Sequence, residues 1–183
     1  MLNLSPTSLF KNIAAAWRLA MGRGSVKALF EISPSAFWQS VWGAFILHLL
    51  STSFASSVFG LDVFLRLSLI SLISTLAYIW LVHFLMTRIG KADVFLEFII
   101  PYQWLNALQA ILFGGIAVIV LVAPGAGLHF LVIPIVIWMI FRIWKLAKQV
   151  MGISGGLAVG FIMARIFLDS AVNFATGVMG PIS

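Results

Sequence analysis

The chain has 183 residues, 62% of them hydrophobic and only 9% charged. A soluble domain carries about 25% charge and at most about half apolar residues, so a soluble fold this apolar could not cover its own surface, and the bilayer is the expected solvent. The net charge is +6, with the basic residues at the ends of apolar runs; that pattern fits anionic lipid headgroups and topology signals rather than nucleic acid, and the lack of cysteine excludes disulfides, thiolate nucleophiles and Cys-ligated metals.

Residues 1–36 form a cytoplasmic lead-in. Leu9, Phe10, Ile13, Trp17, Ala20 and Met21 recur at helical spacing, with Lys11 and Arg18 off that stripe. The pattern predicts an amphipathic helix in the cytoplasmic headgroup layer, or one packed beneath a bundle. Gly22 and Gly24 end it, and Lys11, Trp17, Arg18, Arg23 and Lys27 are the expected membrane-surface residues. Basic residues spread through this segment, without a compact apolar core, do not read as a signal peptide.

Pro34 opens the remainder, residues 37–183, which reads as a five-helix transmembrane domain. The apolar runs are Phe37–Phe59, Leu65–Thr87, Phe98–Val122, Leu128–Lys145 and Gly155–Val178. They approach the roughly 20 residues needed to cross the hydrocarbon layer as a helix, and they are too long and too little alternating for barrel strands. Gly60 and Asp62 mark the first break, MTRIGKADVFLE the second, APGAG the third and KQVMGISGG the fourth. Ser154 is the expected N-cap of the last helix, and Pro134 is expected to kink the fourth run. No internal repeat divides the chain. The predicted class is therefore an all-α integral membrane protein, a bundle of five transmembrane helices preceded by an N-terminal amphipathic interfacial helix.

Basic residues set the orientation. With the N-terminus inside, Lys11, Arg18, Arg23, Lys27, Arg88, Lys91, Arg142, Lys145 and Lys148 all face the cytoplasm, and the outer loops carry Arg66 alone. This positive-inside bias predicts a cytoplasmic N-terminus and an outer C-terminus, in the inner membrane if the cell is bacterial. It leaves Arg165 in the middle of the last run, four residues before Asp169.

Depth can be counted at about 1.5 Å per helical residue. His48, Tyr78, Asn106, Gln109 and Arg165 then fall roughly 12–16 Å from the cytoplasmic edge, with Asp169 about 6 Å further out. Gln103, Asn106 and Gln109 share one helical arc; Ser68, Ser71, Thr75 and Tyr78 share another, and so do His48, Thr52 and Ser56. These stripes are expected to face one another rather than lipid. Arg165 and Asp169 form an i, i+4 pair on one face, readable either as a buried brace or as a proton or substrate relay, since a charge left against lipid costs about 2.5–3.5 kcal/mol. Gly156, Gly160 and Ala164 form a small-residue row suited to close helix packing inside the chain or, less favoured, to a homodimer seam.

No nucleophile–base–acid set, metal-ligand spacing or phosphate loop is present, so an enzyme, a metal site and a cofactor are not expected. His48 and His83 lie at different depths, which argues against paired haem ligation. The tryptophans, Trp38, Trp42, Trp80, Trp138 and Trp144 among them, read as interface anchors.

The turn TRIGKADVFLEFIIPY and the junction WMIFRIWKLAKQVMGISGGLA, with Gly152, Ser154 and Gly156 leading into the last span, resemble the Yip-domain (Ypt-interacting) family of five-span membrane proteins in its prokaryotic branch. The resemblance covers most of the chain and implies a non-enzymatic, five-span protein with a cytoplasmic N-terminus. The Asp-Leu-Tyr-Gly-Pro-type signature of eukaryotic members is missing, so their Rab GTPase partnership does not carry over, and neither does any functional residue.

Two functions fit these features. One is a non-catalytic scaffold, membrane organiser or accessory subunit, whose partners would be the anionic lipid surface and another membrane protein or a second copy of the chain. The other is a small transporter or channel using the midplane polar cluster.

Overall fold

The computed structural model describes residues 4–123 and 128–176, without the side chains at 54–59, 128 and 129. The described residues are helical throughout. The helices are α1 (Pro6–Ala20), α2 (Val26–Leu29), α3 (Pro34–Phe59), α4 (Leu61–Arg88), α5 (Phe95–Val122), α6 (Val132–Met151) and α7 (Gly155–Ala175), with short 3-10 turns at Ala92–Val94 and Leu128–Leu131.

Local chemistry accounts for the boundaries. Ser5 caps α1 by accepting a hydrogen bond from the Ser8 amide at 3.3 Å, and Pro6 sits in the first turn, where its missing N–H has no helical partner to lose. Ser33 accepts from the Ala36 amide at 3.1 Å and starts α3. Gly152, at φ 61°, ends α6 in the left-handed conformation, and the Ser154 hydroxyl then accepts from the Leu157 amide at 3.3 Å to start α7.

Two boundary expectations need correction. Gly60 alone separates α3 from α4, so α4 begins at Leu61 rather than Leu65. Pro134 lies in the first turn of α6 and kinks nothing there; the interior proline is Pro101, buried in α5. Residues 124–127 of the predicted third break APGAG, and residues 177 and 178 at the end of the fifth run, lie outside the described residues.

Among the described residues, three helical segments are long and apolar enough to cross a membrane: Leu61–Arg88, Ala92–Val122 and Gly155–Ala175. The other two predicted spans, α3 and α6, are helices of 26 and 20 residues but lie outside that set. Gln39, Ser40, His48, Ser51, Thr52 and Ser53 make α3 more polar, and Arg142, Lys145 and Lys148 load the end of α6.

Packing follows a ring: α3 lies against α4, α4 against α7, α7 against α6, α6 against α5, and α5 back against α3, with α1 and α2 docked on α5. Residues 98–105 of α5 are buried on every side, which makes this half-helix the centre of the bundle. Close van der Waals fit between the helices contributes to their association. The tightest fit is the α3–α5 seam. A Cβ placed on Gly43 would come 2.5 Å from the Trp104 ring, and one on Gly114 would come 2.5 Å from Ser51 Oγ. The Ser51 hydroxyl donates to the Ala110 carbonyl across the same seam at 2.5 Å. The predicted small-residue row on α7 does not do this job: Gly156 and Gly160 are exposed, with nothing within 4 Å of an added Cβ. Trp104 also departs from the interface-anchor expectation, being 1% exposed in the core.

Candidate functional site

Inside the ring, α3 to α7 enclose a cavity of about 440 Å³. All six residues of the predicted polar cluster line it: His48 from α3, Tyr78 from α4, Asn106 and Gln109 from α5, Arg165 and Asp169 from α7. Helical rise explains the convergence, because residues at matched depth meet when their stripes face a common axis.

Arg165 organises the centre. Its Nε donates to Asp169 Oδ2 at 2.8 Å, with the two side chains 24% and 38% exposed. Its Nη1 donates to the Ser74 carbonyl at 3.4 Å. The guanidinium carbon lies 5.2 Å from the centre of the Tyr78 ring, a favourable cation–π placement. Tyr78 in turn donates its hydroxyl to the Phe161 carbonyl at 3.3 Å, tying α4 to α7.

Aromatic rings of α4, α5 and α7 pack against one another beside the cavity. Tyr78 and Tyr102 have ring centres 4.9 Å apart, Phe98 and Tyr102 are 5.7 Å apart, and Phe98 and Phe161 are 6.3 Å apart. All four side chains are buried, and Tyr78 and Tyr102 line the cavity. One wall is polar, built from α4 and α5; the facing wall, Val136, Ile140 and Ile143 of α6 with Ile162 and Ile166 of α7, is apolar.

Tyr102 and Gln103 also line the cavity and were outside the predicted cluster. Gln103 shared the arc of Asn106 and Gln109, which was the available signal; Tyr102, set among aromatic and aliphatic neighbours, offered none. Gln103 is 1% exposed, and its side-chain Nε2 has no hydrogen-bond partner. A buried donor left unpaired costs about 1–3 kcal/mol, and this one is shielded from water by the surrounding side chains.

The other singled-out residues lie elsewhere. Lys11, Trp17, Arg18, Arg23 and Lys27 are exposed on the N-terminal segment. Lys27 pairs with Glu97 at 3.0 Å, and the Trp17 ring meets Trp138 edge-on at 6.1 Å. Lys11 lines a second crevice of about 390 Å³ with Glu31 and Gln39, between α1 and α3; Gln39 also hydrogen-bonds Ser8 there. His83 is exposed against the Phe95 ring at 5.0 Å, away from the cavity.

Chemically, the cavity offers hydrogen-bond donors and acceptors, one compensated ion pair and an apolar wall. Among the described residues, no group of three His, Asp or Glu side chains could hold a metal ion. No protein family, curated protein or solved structure matches this chain.

Proposed function

We propose that the chain is a non-catalytic, five-span membrane protein that holds a small molecule in this cavity and passes it through the membrane. The observation that carries the reading is the convergence of six polar residues from four helices on one space of about 440 Å³, within the roughly 300–1,000 Å³ typical of small-molecule sites. A purely structural bundle would fill that space with side chains.

Counting α3 and α6 as spans is supported by their lengths, about 39 Å and 30 Å at 1.5 Å per residue. It is also supported by where their polar groups go. Ser40 is buried, Ser51 is bonded to Ala110, and His48 lines the cavity. The basic residues of α6 gather at the end shared with the N-terminal segment, where Arg142 Nη1 lies 3.4 Å from the Cβ position of Gly22. This clustering supports a cytoplasmic N-terminus and an outer C-terminus, with α1 at the cytoplasmic headgroups, the arrangement also expected from the Yip-like resemblance. A second reading, an accessory subunit or scaffold, is favoured by the open Gly156 and Gly160 surface on α7.

The chain has no cysteine, so single thiols can be placed without background. With Thr75→Cys on the cavity wall and Leu76→Cys on an exposed face of α4, about 100° round the helix, a charged, membrane-impermeant thiol reagent should label position 75 faster in proteoliposomes. Equal labelling, or faster labelling at position 76, would contradict a solvent-filled binding cavity.

A further inference from the structure

We infer that the crevice between the turn after α1 and the end of α6 binds a phosphate monoester group, held by the guanidinium of Arg142 and the ammonium of Lys145. This site is separate from the cavity inside the ring and stands whether or not that cavity holds a ligand.

Charge and pairing define the site. The polar side chains lining the crevice are Arg142, Lys145 and Gln149 of α6, and its floor is the buried pair Leu105 and Leu146. The lining therefore carries two positive charges and no carboxylate. Among the described residues the ion pairs are Lys27 with Glu97 and Arg165 with Asp169, so neither Arg142 nor Lys145 has an acidic partner. The two cations are three residues apart on α6, which puts them on one helix face. Arg142 Nη1 lies 3.4 Å from the Cβ position of Gly22, and Gly22, in the left-handed region at φ 76°, has no side chain to fill the space between them. Arg142 is half-buried, and its Nε is covered and unpaired, so the guanidinium meets the crevice through its Nη groups. A partly desolvated cation without a counter-ion is costly, and an anion seated beside it removes that cost.

The chemistry of the anion follows from the charge count and the room. Two cations without an acid match the charge of about −1.5 to −2 that a phosphate monoester carries at pH 7; a carboxylate or a phosphodiester brings only one. Arginine meets phosphate oxygens with a fork of parallel N–H donors, and lysine adds a point charge. The crevice holds about 40 Å³, little more than one water's share of the liquid, about 30 Å³. It therefore seats phosphate oxygens and leaves the rest of the molecule outside. On the five-span reading this end of α6 lies at headgroup depth, where basic pockets between helices take lipid headgroups, so phosphatidic acid can supply the group. Inorganic phosphate or a soluble monoester carries the same chemistry.

The test uses the full chain in a mild detergent. Native mass spectrometry reads binding of phosphatidic acid, phosphatidylglycerol and phosphatidylcholine with the same acyl chains, and thermal unfolding reads inorganic phosphate at constant ionic strength. Phosphatidic acid should be retained one to one, about tenfold more tightly than phosphatidylglycerol, for its second charge. Arg142→Gln should weaken that retention about tenfold or more, the worth of one charge-assisted hydrogen bond, while leaving the ligand-free melting temperature no lower than wild type. Lys145→Gln, at an exposed position, should weaken it too and keeps the test decisive if Arg142→Gln misfolds. Lys148→Gln removes the same charge from a side chain that lies over the Trp144 ring at 4.6 Å, outside the crevice lining, and should change retention by less than about twofold. Displacement of phosphatidic acid by inorganic phosphate, with a rise in melting temperature, would assign the site to a soluble phosphate; retention against it would assign the site to the lipid headgroup. Equal losses from Lys148→Gln and Arg142→Gln would overturn the site in favour of diffuse surface charge. Equal retention of phosphatidylglycerol would overturn the monoester, and binding of neither phosphatidic acid nor inorganic phosphate would overturn the proposal outright.

Discussion

Arg165 and Asp169 should behave as one unit. At 2.8 Å, two unit charges attract by about 6 kcal/mol at an effective dielectric constant of 20. Both side chains are partly exposed, at 24% and 38%, so water and lipid headgroups that reach the cavity reduce this. Asp169→Ala leaves Arg165 with the Ser74 carbonyl at 3.4 Å and the Tyr78 ring face as its remaining partners. We expect a loss of about 2–3 kcal/mol, between a charge-assisted hydrogen bond and a fully buried pair. Arg165→Leu should cost a similar amount, because it strands the carboxylate. The double change to Leu at both positions removes both charges and should recover most of the loss, leaving about 1 kcal/mol and so giving a coupling energy of about 3–5 kcal/mol. Thermal unfolding in a mild detergent should show single-mutant melting temperatures about 4–12 °C below wild type, with the double mutant well above either. Single losses that add to within about 0.5 kcal/mol in the double mutant would show the two residues to be independent and would refute the explanation of charges in the last span. If the recovered double mutant also retains function, the pair is a brace; if it folds but is inactive, the pair is a relay.

Other perturbations probe the frame around the cavity. Gly43→Leu drives a side chain into the buried Trp104 ring and should destabilise by at least about 1–3 kcal/mol, read as a lowered melting temperature; wild-type stability would mean that the α3–α5 seam is loose. Ser154→Ala removes the hydroxyl that accepts from the Leu157 amide and should cost about 1 kcal/mol, measurable in the same unfolding assay, whereas Ser154→Asp should restore it. A reporter fused after Ser183 should be active only when the reporter is one that works outside the cytoplasm; cytoplasmic activity would refute both the orientation and the five-span count.

Much of the frame was legible because it depends on local rules. Pro34 and Ser154 announce helix starts through backbone chemistry that needs no tertiary partner. The depth of His48, Tyr78, Asn106, Gln109 and Arg165 is a count of helical rise, so their arrival at one cavity could be anticipated from spacing alone. What stayed hidden depends on which faces meet. Gly43 and Gly114 carry the close α3–α5 approach, while Gly156 and Gly160, the more recognisable motif, face outward. Nothing in the sequence ranks one small residue above another until the partner helix is known. Trp104 resembled the other tryptophans, and only the burial of α5 at the bundle centre separates it from them. Tyr102 reads as one more core aromatic. Pro101 sits in the first turns of a helix that starts earlier than its apolar run suggested, so its interior position was concealed by the charged and polar lead-in ADVFLE.

The most direct test is an experimental density map of the wild-type chain in lipid, at a resolution that resolves single waters. A cavity that is open and occupied should show non-protein density between the helices, beside Asn106 and Gln109, with Arg165 still paired to Asp169. A collapsed interior, with side chains filling that space and no such density, would contradict the account.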